Sequence, residues 1–392
     1  MRKDRGRTTV VGTLAAVLTC AAVLVPSSPG RATPPRCVAP PATGQDTPAP
    51  SWTQQWYPSD RLTGLASGRG VTVAVIDSGV DADHPSVRGR VVPGEDPLAG
   101  GDGRVDCVGH GTAVASIVVQ LAPDVTILPV RVSEQEAVDG TPPGRAVSAP
   151  AFALAIRHAV DRGARVVNLS VVLYRDDPTV RDAIRYALDR DTVVVAAVGN
   201  EYERGDPVPY PAAYDGVLGV GAIRPDGLRW PGSQVGPYVD VMAPGGEVTA
   251  AAAGHGYAVY EGTSFAVPFV AATAALVREY RPGLTAHEVD ERILATVDPA
   301  PDGSRSAAYG YGIVDPYRAV TDTVGNLAAT TTATAAAGPL PGAGADHPRR
   351  TAARRSRDRA LAIAAVGASV AALLVLAGTA IPRARRRRWR AG

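Results

Sequence analysis

From Val71 onward the chain alternates two hydrophobic patterns. Short β-branched runs bounded by Asp, Gly or Pro read as strands buried on both faces, and stretches with apolar positions every three or four residues read as helices. The runs predict strands at Val71 to Asp77, Val125 to Val132, Arg165 to Val172, Thr192 to Val198, Gly216 to Ile223 and Tyr238 to Met242. The helical pattern covers His110 to Gln120, Ala151 to Arg162, Thr179 to Arg190, Ser264 to Tyr280 and Thr285 to Ala295. Strand and helix in alternation imply an α/β fold, a three-layer arrangement with a mostly parallel central sheet and helices on both faces. Such sheets bind ligands at the carboxyl ends of their strands, so the residues that close each strand are the first candidates for chemistry.

The flanks break the pattern. Arg2, Lys3, Arg5 and Arg7 precede the apolar run Val10 to Pro26, and small residues follow to Ala32. That is the layout of a secretory signal, placed at residues 1–32. The apolar run is longer than a usual signal core, which leaves a retained anchor as the other reading. Residues 33–68 are rich in Pro, Ser, Thr and Gln around Trp52, Trp56 and Tyr57, and read as an arm that packs through its aromatics. The alternating strand and helix pattern occupies 69–321, and the Ala/Thr/Pro/Gly and Arg-rich stretch 322–360 reads as a linker. Residues 361–381 are apolar for long enough to span a bilayer, and the basic tail 382–392 follows. Arginines stand on both sides of that span, so the charge rule does not orient it. Export of the N-terminal part does, and predicts an extracytoplasmic domain with a short cytoplasmic tail.

Four positions carry the chemistry. Asp77 ends the first strand in Asp77-Ser78-Gly79, His110 sits between two glycines at the start of a helix, and Asn200 follows Gly199 after the fourth strand. Ser264 lies in Gly262-Thr263-Ser264 at the entry to the long apolar helix, where unpaired N–H groups and the helix dipole favour negative charge. Pro268 is read as a first-turn proline, where a missing N–H costs little. Singly, these residues have plain roles as turn and cap residues. Together they supply a nucleophile, a base, an orienting acid and an amide donor.

Composition narrows the field. The net charge is +2, with no basic field that calls for nucleic acid. Of three cysteines, Cys20 lies in the signal segment. An exported chain keeps Cys37 and Cys107, a pair that reads as a disulfide between the arm and the loop ahead of His110. The rival reading, a reactive thiol at Cys107, needs a neighbour that lowers its pKa, and no nearby residue in the sequence supplies one. No concentrated carboxylate loop demands calcium, and neither a metal nor another cofactor is expected.

The order Asp77, His110, Asn200, Ser264, each on its strand end or helix start, resembles the subtilase family of serine proteases. The resemblance implies a catalytic Asp77, His110 and Ser264, an oxyanion donor at Asn200, and substrate binding through Ser170 and Gly199. Asn168-Leu169-Ser170 resembles the edge strand that pairs with the substrate backbone in that family, though Val171 and Val172 stand where the family usually has a glycine and would narrow the cleft. Asp81-Ala82-Asp83-His84-Pro85 also matches, and there the resemblance makes His84 structural. His158, His255 and His287 read as surface or packing residues. About 40 residues separate the signal from Asp77, too few for a family propeptide domain with its linker.

The signal, the arm with Cys37, the Gly101-Asp102-Gly103 to His110 stretch and the C-terminal span together resemble the mycosins, membrane-anchored subtilases of type VII secretion systems. That resemblance implies protein or peptide substrates and membrane components of such a system as partners. The family's second disulfide has no cysteines here. A membrane scaffold with slow or dispensable proteolysis is the alternative, and a diffusing nutrient protease is disfavoured by the anchor.

Overall fold

The computed structural model describes residues 44–45, 51–134, 148–301, 303 and 305–324. Its centre is a parallel sheet of β1 (Thr72–Asp77), β2 (Thr126–Arg131), β3 (Val166–Leu169), β4 (Val193–Ala197), β5 (Leu218–Ile223) and β6 (Val241–Pro244). They lie in the order β2-β1-β3-β4-β5-β6. Successive side chains of a strand point to opposite faces. In β1, Val73 and Val75 therefore enter one apolar cluster with Phe269 and Val114, while Ala74 and Ile76 enter the other with Phe152, Ile156 and Val180. The first cluster carries α2 (His110–Leu121), α5 (Thr263–Tyr280), α6 (Ala286–Ala295) and α7 (Pro316–Thr321), and the second carries α3 (Ala149–Asp161) and α4 (Pro178–Leu188). This is the predicted sheet with helices on both faces.

Two strands are shorter than the hydrophobic runs suggest. β3 stops at Leu169, because Ser170 turns toward α5 and bonds to it. The sixth strand begins at Val241, since Val239 N–H bonds back to the Gly236 carbonyl in a turn. An antiparallel hairpin of β7 (Val248–Ala251) and β8 (Tyr257–Tyr260) was not predicted. Its small Ala and Gly residues carry neither period, so only pairing reveals it.

The arm also contains an unpredicted helix, α1 (Trp52–Trp56), closed by a capping box between Ser51 and Gln54. Trp52 Nε1 donates to the Gly246 and Glu247 carbonyls at 3.1 Å, and Tyr57 donates to the Val314 carbonyl at 2.6 Å. The arm does pack through its aromatics. Further along, Glu279 at the end of α5 accepts the N–H groups of Ser67, Gly68 and Arg69. Among the described residues no helix is long and apolar enough to cross a membrane. The predicted signal 1–32, the linker 322–360 from residue 325 on, the span 361–381 and the tail 382–392 lie outside the described residues.

One buried acid makes the fold sensitive to pH. Asp290 on α6 is nearly inaccessible, and its Oδ1 has no hydrogen-bond partner among the described residues. Burial pushes its carboxyl well above the ordinary range, opposed by the nearby Arg278 charge. A carboxyl that holds its proton more tightly when folded favours the native state fully at low pH, and that contribution is lost as pH rises above the ordinary value of 3.8 toward the folded pKa. Asp290→Asn, which cannot ionise, should therefore gain on the parent in melting temperature between pH 4 and pH 7. Scanning fluorimetry at the two pH values checks this, and a constant difference would contradict it.

Candidate active site

Asp77 closes β1 at the carboxyl edge of the sheet, and His110 opens α2 beside it. The Asp77 side chain is 2% exposed, and its Oδ1 accepts from His110 Nδ1 and from the Ser78 N–H, both at 2.7 Å. Its Oδ2 is buried with no hydrogen-bond partner among the described residues. A carboxylate only accepts, so this bond places the imidazole proton on Nδ1 and leaves Nε2 with its lone pair. The glycines flanking His110 are there for close approach. A Cβ on Gly111 would stand 2.1 Å from the Gly79 carbonyl oxygen, and one on Gly109, whose φ is 94°, would stand 2.6 Å from the Ala253 Cβ. The Phe265 ring packs against the imidazole with centroids 5.2 Å apart, and Tyr260 of β8 stacks on that ring at 4.8 Å.

Ser264 is the second residue of α5. Its hydroxyl donates to the Ser170 carbonyl at 3.1 Å, and the Ser170 hydroxyl donates to the Ser264 carbonyl at 2.9 Å. This exchange corrects the reading of Pro268. The helix begins at Thr263, so Pro268 lies in its interior, and the N–H it lacks is the one that would have bonded to the Ser264 carbonyl. The Ser170 hydroxyl takes that place, itself held by Asn168 Nδ2 at 3.0 Å. Asn168 and Leu169 belong to β3, which pairs with β1 on one side and β4 on the other. That strand is central and not an edge, because both of its sides are spent on neighbours. Any pairing with a peptide falls to the segment from Ser170 onward, where Val171 and Val172 are half-buried.

Asn200 follows β4 and faces the same helix start. Its Oδ1 accepts the Thr263 N–H and the Thr263 hydroxyl, each at 2.9 Å. With the oxygen fixed, the Nδ2 donor is turned to the other side of the amide. Gly199 N–H donates to the Thr263 hydroxyl oxygen at 3.2 Å, so Thr263 ties the end of β4 to α5. Thr263 was not singled out in the sequence, where it reads as a cap residue and offers no other signal.

His84 is buried, as expected of a structural residue. The Ser86 N–H donates to its Nδ1 at 3.2 Å, and its Nε2 therefore donates to the Gly256 carbonyl at 3.1 Å. Burial lowers its pKa, which keeps the ring neutral. His158 pairs with Glu95, which is bonded to the end of β2, and His287 pairs with Glu291 on the exposed side of α6. Cys107 lies in the loop ahead of His110, and the surroundings differ from the sequence reading. Arg131, fully buried at the end of β2, places Nη2 3.3 Å from the Cys107 sulfur and pairs with Asp96 and Glu134. Cys107 is disulfide-bonded, so its sulfur accepts from that cation without ionising, and strand pairing alone brings the two together. Cys37 lies outside the described residues.

Residues 68–312 match the family model Peptidase_S8, described as the subtilase family. Mycosin-4 of Mycobacterium tuberculosis is 34% identical over 379 residues, covering 85% of this chain and 82% of its own. A thermophilic serine proteinase of a Bacillus species is also 34% identical, covering 68% of this chain and 67% of its own. Among solved structures, MycP1 with its N-terminal propeptide removed superposes with a TM-score of 0.60 at 32% identity, over 71% of this chain and 98% of that one. MycP3, described as a protease from the type VII (ESX-3) secretion system, gives 0.59 at 30% identity, over 75% and 98%. The chain belongs to the subtilase family of serine endopeptidases and is related within it to the mycosins.

Proposed function

We propose that this chain is a membrane-anchored endopeptidase of a type VII secretion system that cleaves exported proteins through Asp77, His110 and Ser264. The observation that carries the reading is the 2.7 Å bond from His110 Nδ1 to a buried carboxylate, with the same imidazole packed on Phe265, the residue after Ser264 in the first turn of α5. Ser264 Oγ attacks the peptide carbonyl as its proton passes to His110 Nε2, and Asp77 stabilises the imidazolium that forms. For this the hydroxyl leaves the Ser170 carbonyl and turns to the imidazole. Asn200 Nδ2 and the Ser264 N–H receive the oxyanion. The C–N bond then breaks as His110 returns the proton to the leaving amine, and water releases the acyl group by the same steps. Gly199 and the segment from Ser170 would hold the substrate backbone. No step needs a metal or another cofactor.

The same reading places the domain outside the membrane, with residues 361–381 as the span and 382–392 inside. It pairs Cys37 with Cys107, which is supported by the disulfide-bonded state of Cys107. The named association of MycP3 with type VII secretion supports the partner assignment. A second reading is a scaffold of that complex with slow proteolysis. It is favoured by the engaged Ser264 hydroxyl and by the valines that narrow the cleft.

Reaction of the full chain with a fluorophosphonate should give one adduct, on Ser264 by mass spectrometry, and none in His110→Ala. A folded protein without the adduct would put the scaffold ahead. Asn200→Ala should lower turnover of a peptide substrate about 10²- to 10³-fold, the loss expected for one oxyanion donor, and full activity would remove that role. In cells, Ser264→Ala should reproduce the secretion defect of a deletion if proteolysis is the main role, and should secrete normally if the protein is chiefly a scaffold.

A further inference from the structure

We propose that Asp106 is a positioning residue that sets His110 against Asp77, an inference that rests on the reading of those residues as acid and base. Asp106 is 1% exposed. Its Oδ1 accepts the Ser78 hydroxyl at 2.9 Å, the Val108 N–H at 3.0 Å and the Gly109 N–H at 2.8 Å. Oδ2 accepts the Thr112 N–H at 2.9 Å and the Thr112 hydroxyl at 2.7 Å. Every one of these partners donates, so the group they fit is a carboxylate with both oxygens accepting. Burial raises its carboxyl pKa, and the bonds from Thr112, Gly109 and Val108 oppose that rise.

The partners lie on both sides of the catalytic pair. Val108, Gly109 and Thr112 bracket His110, whereas Ser78 follows Asp77 directly. The Ser78 oxygen also accepts the Gly111 N–H at 2.9 Å, and its own N–H goes to Asp77 Oδ1. The Thr112 oxygen accepts the Asp81 N–H at 2.9 Å, from the chain that leaves β1. The strand end and the helix start are thus fastened through a single carboxylate. Asp106 acts by fixing the backbone from which Asp77 and His110 project.

Two substitutions test this in the full chain, purified in detergent. Asp106→Asn keeps the shape but turns an NH2 group toward N–H or O–H donors. Thr112→Val removes one hydroxyl, and Thr112→Ser restores it. Per active site titrated with fluorophosphonate, both Asp106→Asn and Thr112→Val should lose about 10- to 100-fold in kcat with KM within about two-fold, the scale of a sub-ångström misplacement. Thr112→Ser should stay near the parent. A packing role alone would lower the melting temperature or the active fraction, not turnover per titrated site.

A second readout needs no activity. The proton between His110 Nδ1 and Asp77 should give a low-field NMR resonance, assigned by its loss in His110→Ala, and the resonance should shift or vanish in Asp106→Asn and Thr112→Val. Folded variants with parental kcat and an unmoved resonance would overturn the proposal. If Asp106→Asn does not fold, the Thr112 pair decides. A parent that is inert to the probe would sink the protease mechanism, and the resonance would still decide the role of Asp106.

Discussion

A proline inside a buried helix leaves one carbonyl without its hydrogen bond, and in this protein that carbonyl belongs to Ser264. The helix is buried along most of its length, and an unpaired buried carbonyl would cost about 1–3 kcal/mol. The Ser170 hydroxyl fills the gap, and the reciprocal bond from the Ser264 hydroxyl closes the pair. The end of β3 is thereby fixed against the first turn of α5. Once that turn is fixed, Thr263 can hold both Gly199 and Asn200. Ser264, Asn200 and the segment from Ser170 are positioned by one local accommodation.

The sheet's parallel order follows from the same need for burial. Each strand is apolar on both faces, which only a layer of helices on each side can satisfy. That feature was legible in the sequence because β-branched runs such as Val193 to Val195 have no polar face to offer solvent. The candidate positions stood out for a related reason. Asp77, His110, Asn200 and Ser264 interrupt apolar patterns where strands end or helices start, and a polar residue there either caps or does chemistry. What could not be read were partnerships between distant segments. The Arg131 guanidinium beside Cys107, the network around Asp106 and the Pro268 carbonyl exchange are set by strand order and helix placement, not by local pattern. The β7–β8 hairpin escaped for a different reason, since runs of Ala and Gly have no period to detect.

The hairpin matters because it backs His110. Tyr260 stacks on Phe265, Phe265 packs on His110, and Ala251 N–H bonds to Ser116 Oγ of α2. The arm reaches the same hairpin, as Gln45 exchanges backbone bonds with Tyr257 at 2.9 and 3.0 Å, and Trp52 caps the carbonyls that precede β7. A segment that reads as a polar, Pro-rich arm by composition is therefore part of the support for the site. Removing it would expose the Tyr257 edge and free the hairpin on its outer side. Small cores gain little from such short pairings, yet here the pairing sits two contacts from the imidazole.

Burial sharpens the demands on the acids. Asp77 and Asp106 both lie out of water beside one loop, and a buried carboxylate is tolerated only when donors replace its hydration. Asp106 has donors on both oxygens, whereas Asp77 uses one oxygen and its other oxygen has no hydrogen-bond partner among the described residues. The contrast fits their separate tasks. A fully satisfied carboxylate has nothing left to give and serves to hold chain segments in place. A partly satisfied one keeps unspent attraction for positive charge, and the nearest group that can acquire it is the imidazole that Asp77 already holds. Ser78 lies between the two and shares its hydroxyl hydrogen with the first and its N–H with the second. The geometry that keeps the loop folded is in this way also the geometry that keeps the base in register.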